Sequence, residues 1–429
     1  MRVAAIDQGT TSTRLLVVED GVAEIRHAVR HRQSHPRPGW VEHDPLELLA
    51  NVRACAEAAG PVAALGLDNQ GESCLAWDGA TGEPLSPVIV WQDNRTSEAI
   101  ERLRAAGAET VTLERAGLPL DPYFSASKLA WLLEQVGHRP SLRLGTTDAW
   151  FLDRLTGRFV TDVTTASRTS LMNLTTCTWD EELCRLFGVP VGYLPEIMPT
   201  VGEFGAVAGR PLTAAMVDQQ AALYGHGCRA MGDAKVTFGT GAFALALTGA
   251  EIVRAPERGL LPTVAWRIGA ETVRAVDGGV YDAGSAVEWA GRLGLFADLA
   301  ELDSFTEAPA IERGLVFVPA LSGLACPHWD RSAGALWLGM TAGTTSRDLC
   351  QALLEGIALR TAEVVAAMAE QVALADRLSI DGGLARSAYF AQFLADAIGR
   401  TQSTSIVNES GLYALILTSR KAAARTFSA

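Results

Sequence analysis

Cationic charge, paired cysteines, an apolar leader and long hydrophobic runs are all scarce in this 429-residue chain. Lys and Arg number 36 against 49 Asp and Glu, a net charge of −13. That balance excludes nucleic acid or an anionic membrane surface as the main partner. Seven cysteines (Cys55, Cys74, Cys177, Cys184, Cys228, Cys326, Cys350) are odd in number, scattered and without a CxxC pair. They fit neither a disulfide frame nor a zinc site, and reduced thiols in a cytoplasmic protein are expected. The opening "MRVAAIDQG" carries Asp7 where the apolar core of a leader would run, so no signal peptide is expected. No run of eighteen apolar residues calls for a spanning helix. No GxxxxGK[ST] occurs, which rules out a Walker-type loop.

What the chain does have is ample material for large cores. Hydrophobic residues make up 48% and charged residues 20%, the balance of an ordinary globular protein. The length exceeds what one core supports and predicts two or three domains. "VAAI", "TRLLVVED" and "GVAEIRHAVRH" read as strands joined by tight turns, followed by a Pro/Gly-rich loop, "PRPGWVEHDP". "LELLANVRACAEAAG" has helical spacing and closes on glycine, whereas "VAALGLDN" and "SPVIVWQDN" read as strands. In "KLAWLLEQV", Leu129, Leu132, Leu133 and Val136 fall on one helical face.

Two stretches stand out. In "VAAIDQGTTSTRLLVVEDG" an apolar strand runs into a small polar turn and leaves as another strand; "GDAKVTFGTGAFALALTG", residues 232–249, repeats the pattern. A spacing of more than two hundred residues is too long for a solenoid and suits a duplicated domain with one hairpin in each half. Glycines and short hydroxyl side chains let successive backbone N–H groups point into one concavity that binds an anion, usually phosphate. A single such turn is equally explained as a hairpin that needs glycine. Two related turns, with Asp7 and Arg14 flanking the first, favour phosphate. A dinucleotide site is disfavoured because each turn joins two strands rather than a strand and a helix. In "MVDQQAALYGHG" Asp218 follows an apolar strand end, with Gln219 beside it. It could be the general base of a phosphoryl transfer or simply the N-cap of the following helix, and spacing alone favours the cap.

These residues resemble the FGGY carbohydrate kinases, and among them the glycerol kinase branch, of the actin/hexokinase superfamily. "AIDQGTTSTR", "GWVEHDP", "VIVWQDNRT", "LPLDPYFSASKLAWLLEQ", "VDQQAALYG", "FGTGAF", "VPALSGLACPHWD" and "GTTSRDLCQALLEGIALRT" follow in the family's order over about residues 1–400. The resemblance implies a two-domain α/β, ribonuclease H-like duplicated fold with an ATP cleft between domains 1–225 and 226–429. It implies Asp218 as catalytic base and Asp7 as the holder of Mg²⁺. Thr10, Thr11, Ser12 and Arg14 would face the phosphates of ATP from the first hairpin, and Gly239, Thr240 and Gly241 from the second. Gly284, Gly382, Gly383 and Ser387 would form the adenosine pocket. Gly71, Glu72, Trp91, Tyr123, Asp218, Gln219 and Phe243 would receive a small polyol or sugar. A homo-oligomer, dimer or tetramer, is also implied.

The chain departs from the family at three places. Glycerol kinases read Asn-Gln-Arg-Glu where this chain reads Asn69-Gln70-Gly71-Glu72. Gly71 removes a charged donor and is expected to open space for a larger polyol or ketose, unless another arginine such as Arg95 fills the gap. "FGAVAGRPLTAAMVDQQ" lacks the Gly-Gly-Arg loop of fructose-bisphosphate inhibition, so that regulation is not carried over. The tail "GRTQSTSIVNESGLYALILTSRKAAARTFSA" keeps a faint echo of the family, with Glu409 and Ser410 in register. The departures leave a second reading, a catalytically weak relative that binds a polyol or nucleotide.

Overall fold

The computed structural model describes residues 2–404, and the structural statements below concern those residues; Glu409, Ser410 and the rest of the divergent tail lie outside them. The chain forms two compact units. Among the described residues the first runs to Gly225 and includes Thr263–Arg274; the second comprises His226–Pro262 and residues 275–404.

The first unit is organised by β1 (Arg2–Gln8), β2 (Ser12–Glu19), β3 (Val22–Arg30), β4 (Leu65–Asn69), β5 (Val201–Val207) and β6 (Arg210–Val217), in the order β5-β6-β4-β1-β2-β3. β1 lies antiparallel to β2 and parallel to β4, and β4 parallel to β6. The "VAAI" run occupies the sheet centre, where Val3 to Ile6 are buried on both faces, as continuous apolar runs require. Helix α1 (Pro45–Ala58) begins where Asp44 accepts hydrogen bonds from the amides of Leu46 and Glu47 and Pro45 occupies the first turn. Its Leu48, Val52 and Cys55 pack with Ile6, Leu15 and Leu67 in one core. Helix α2 (Ser125–Val136) buries Leu129, Leu132 and Leu133, the face its spacing indicates.

"SPVIVWQDN" contributes only a two-residue strand, Val88–Ile89. Side chains take over from the ladder beyond it: Trp91 N–H donates to Ser73 Oγ at 3.1 Å, and Asp93 Oδ2 accepts from Val41 N–H at 2.6 Å. Short polar side chains commonly compete with sheet pairing in this way.

A second six-stranded sheet, most of whose strands belong to the second unit, repeats the plan. β7 (Ala234–Phe238), β8 (Ala242–Gly249), β9 (Leu261–Ile268), β10 (Glu271–Val280), β11 (Arg377–Gly382) and β12 (Thr401–Thr404) run in the order β9-β10-β8-β7-β11-β12. The first strand, β7, is again antiparallel to the second and parallel to a later strand, β11, which in turn pairs with β12 in parallel. Both units therefore place a hairpin and a parallel crossover around a central first strand, the duplication that the paired turns suggest. Helix α5 (Ser346–Ala369), started by a Thr345–Asp348 capping box, packs against this sheet together with α4 (Gly284–Arg292) and α6 (Ala388–Ile398).

All seven cysteines are unpaired and buried. Burial pushes the thiols of Cys55, Cys74, Cys184 and Cys326 up to about 12, so they are packing residues and not nucleophiles. Among the described residues no helix is long and apolar enough to cross a membrane.

Candidate active site

Parallel strands that end side by side bring distant residues into one neighbourhood. In the first unit β1, β4 and β6 terminate together, and their register sets Asp7 beside Asp68 and Asn69 beside Val217, with Asp218 one residue beyond at the start of α3 (Asp218–Gly225). The carboxyl ends of strands are where α/β sheets place ligands. Burial raises the Asp7 carboxyl above its ordinary range, against the hydrogen bond to Asp68 and the positive charge of Arg14. Asp68 is pushed well above that range, first by burial, then by the charges of Asp7 and Asp218. Nothing in the pattern of "LGLDNQ" marks Asp68; only the strand register reveals it.

Asp218 is the first residue of α3, and its Oδ1 accepts the N–H of Gln219 at 2.7 Å, while both residues stay partly exposed. The Gln219 Oε1 atom is buried with no hydrogen-bond partner, an acceptor suited to a substrate hydroxyl.

The β1–β2 turn is closed by Gly9 N–H donating to Ser12 O at 3.1 Å, with Asp7 and Arg14 opposite each other below it. Arg14 Nε donates to Ser12 Oγ at 3.2 Å, and Thr11 is exposed at the tip. Thr10 ties this turn to the rest of the unit. Its carbonyl lies 2.9 Å from His31 Nε2, and its hydroxyl accepts Trp91 Nε1–H at 3.1 Å. Thus Trp91 and Thr10, assigned by resemblance to different substrates, are in contact.

Glu72 sits in the left-handed region, at φ 59°, a conformation that costs energy for a residue with a side chain. Its carbonyl accepts Ser125 Oγ–H at 3.0 Å, and its Oε1 accepts Arg168 Nε–H at 2.7 Å, the two side chains being 6% and 5% exposed. Trp91 and Tyr123 meet edge to face at 5.6 Å, and the Arg168 guanidinium lies 6.0 Å from the Tyr123 ring. Lys128, fully buried, fixes this segment by donating to the carbonyls of Tyr123 at 2.6 Å and Pro122 at 3.2 Å.

Two expectations about Gly71 are corrected here. A Cβ on Gly71 would lie 2.7 Å from Val217 Cγ2, so position 71 admits no side chain beside Val217 as it stands. Arg95 does not fill it. Its guanidinium is held by Asp93 and Glu42, both at 2.7 Å, and stacks 3.7 Å over Trp40. The arginine on Glu72 is Arg168, 96 residues away in sequence, which no spacing rule could single out.

The second unit gathers its glycines around the end of β7. Gly239 and Thr240 are exposed at the β7–β8 turn, whose carbonyls accept N–H groups from Ala283, Gly284 and Ser285, each at 3.0 Å. Close approach explains the residue type. A Cβ on Gly284 would lie 2.5 Å from Gly239 O, one on Gly241 2.7 Å from Val280 O, and one on Gly382 2.1 Å from Phe238 O. Gly382 also needs φ 93°, and Gly383 N–H donates to Phe238 O at 3.0 Å. Phe243 pairs with Thr237 across the hairpin. The Ser387 hydroxyl is engaged as the N-cap of α6, accepting from Phe390 N–H and donating to Leu302 O. Asp381, which the sequence did not flag, contacts His226 Nε2 at 3.2 Å and Lys235 Nζ at 3.1 Å just before the Gly-Gly pair.

Among the described residues no cluster of three or more His, Cys, Asp or Glu forms a metal cage. The donor chemistry still suits a hard cation. Mg²⁺ commonly takes one or two carboxylates, with water and phosphate completing its shell. Asp7 with Asp68 is such a pair, and a divalent ion would relieve its repulsion.

Comparisons with known proteins identify the family. Residues 2–225 match the N-terminal domain of the FGGY family of carbohydrate kinases and residues 234–417 its C-terminal domain. A glycerol kinase of Thermus brockianus is 44% identical over 92% of this chain and 84% of its own length, and one of Geobacter sp. (strain M21) is 42% identical over 94% and 88%. The crystal structure of Plasmodium falciparum glycerol kinase with ADP superposes with a TM-score of 0.87 at 32% identity, covering 97% of this chain and 88% of that one. Duplicated sheets, two hairpin turns and sequence matches over most of the chain together place it in the FGGY family of carbohydrate kinases.

Proposed function

We propose that this protein transfers the terminal phosphoryl group of ATP to a terminal hydroxyl of glycerol or a closely related small polyol. The observation that carries the reading is the pairing of Asp218 with Gln219, whose buried carbonyl oxygen lacks a partner, at the end of a strand beside Asp7 and Asp68. Relatives named glycerol kinase, matched over most of their length, support the acceptor, and the ADP-bound relative supports the nucleotide.

Phosphoryl transfer needs positioning and charge stabilisation more than covalent help. Glu72, locked by Arg168, takes an acceptor hydroxyl, and Gln219 Oε1 takes another. Trp91 and Tyr123 cover the carbon skeleton. Asp218 accepts the proton of the attacking hydroxyl. Arg14 and the backbone amides of the first turn are the groups of the first unit suited to phosphate, and Thr240 with its glycine neighbours those of the second unit. A divalent cation held by Asp7 supplies charge neutralisation when bound. Gly382 and Gly383 leave a surface free of side chains for the adenosine.

ADP release with MgATP, measured against glycerol, erythritol, ribitol, xylitol, xylulose and ribulose, tests the reading. Turnover with glycerol that drops about 10²- to 10⁴-fold in Asp218→Asn, with unfolding unchanged, is the expected result. Silence across the panel from folded protein would leave a polyol- or nucleotide-binding relative without turnover.

A further inference from the structure

We propose that Gly71 and Val217 form an interlocked pair that determines which acceptor this protein takes. This rests on the polyol kinase reading above. Gly71 immediately precedes Glu72, and Val217 immediately precedes Asp218, so their contact joins the two chain segments that carry the carboxylates assigned to the acceptor. A Cβ at position 71 would stand 2.7 Å from Val217 Cγ2, closer than two carbon atoms can pack.

Val217 cannot easily yield. Its side chain is 2% exposed, its N–H donates to Thr164 Oγ1 at 2.9 Å, and its register partner on β4 is Asn69. A β-branched side chain also has few rotamers to escape into. A side chain at 71 and the isopropyl group at 217 therefore exclude each other.

The consequence for specificity runs against a widened pocket. The missing arginine leaves no room behind at position 71, because Val217 as it stands admits no side chain there; a longer polyol gains nothing from Gly71. Charge at this end comes instead from Arg168, whose Nε–H is given to Glu72. The acceptor is a neutral polyol of about glycerol's size, held by an oriented carboxylate rather than by a flexible cation at position 71. Val217 is the residue that keeps it small.

The test is a double-mutant cycle read in thermal unfolding and in kinetics. Gly71→Ala should lower Tm by several degrees, and Gly71→Ala combined with Val217→Ala should recover most of that loss. Val217→Ala alone should raise kcat/KM for erythritol relative to glycerol about ten-fold, the effect of room for one more carbon. Gly71→Arg with Val217→Ala should lower the glycerol KM about ten- to a hundred-fold relative to the parent, whereas Gly71→Arg alone should not. Additive Tm changes, or Gly71→Arg tightening glycerol by itself, would overturn the interlock. If the parent phosphorylates no polyol, the kinase reading fails separately, and the Tm cycle still decides whether the two positions are coupled.

Discussion

The two hairpins occupy the same place in their sheets, yet they are built from different physics. The β1–β2 turn is surrounded by charge: Asp7 faces Arg14, Asp68 lies beside Asp7, and His31 touches Thr10. Its Gly9 would carry a Cβ at ordinary van der Waals distance, 3.6 Å from Asp7 Oδ1 and Ser12 O. The β7–β8 turn is surrounded by backbone, with carbonyls and glycines packed too closely for side chains. A repeated topology thus supplies an electrostatic half in the first unit and a steric half in the second. Under the proposed function both have a use, since charge must be neutralised and a nucleotide must approach backbone closely.

The largest test strikes the first unit's charge. Arg168→Met removes the guanidinium paired with the buried Glu72 and is expected to cost about 3–5 kcal/mol in urea unfolding. Loss of less than about 1 kcal/mol would mean that Glu72 is not held by this pair. A comparable but sterically caused loss is expected in the second unit. Gly382→Ala must bring Cβ within 2.1 Å of a carbonyl oxygen at φ 93°, and about 3 kcal/mol is expected, against less than about 1 for Gly9→Ala. Equal losses at the two glycines would erase the contrast.

A third prediction uses pH. His43 meets His31 edge to face at 4.9 Å, and burial lowers its pKa from 6.5 to about 4. The folded state then binds fewer protons than the unfolded one between these values. The resulting stability is complete above about pH 6.5 and lost as pH falls towards 4, up to about 3 kcal/mol. Unfolding of His43→Gln across that window should give a flatter profile; an unchanged slope would locate the effect elsewhere. The smallest effect is expected for Thr10→Val, which removes the hydroxyl that accepts Trp91 Nε1–H. About 1 kcal/mol, or roughly a five-fold rise in KM, should appear for the acceptor as well as for ATP if the contact couples their sites. A change confined to ATP would show that the contact does not reach the acceptor.

Much of this molecule is legible from pattern. Continuous apolar runs announced β1 and β7, the helical spacing of "LELLANVRACAEAAG" announced α1, and repeated small polar turns announced the duplication. Those features depend on neighbours within a few residues, where steric preference and helical or strand period act. The strand of "SPVIVWQDN" shrank because hydrogen bonds from Ser73 and Asp93, invisible in a hydropathy pattern, replaced the ladder. By itself the sequence determined the fold class, the two turns and the carboxylate after β6. Only the tertiary structure decided that Arg168 and not Arg95 meets Glu72, that Asp68 stands beside Asp7, and that position 71 admits no side chain beside Val217. Each of those outcomes depends on strand register and side-chain packing between segments far apart in the chain, which local residue order does not encode.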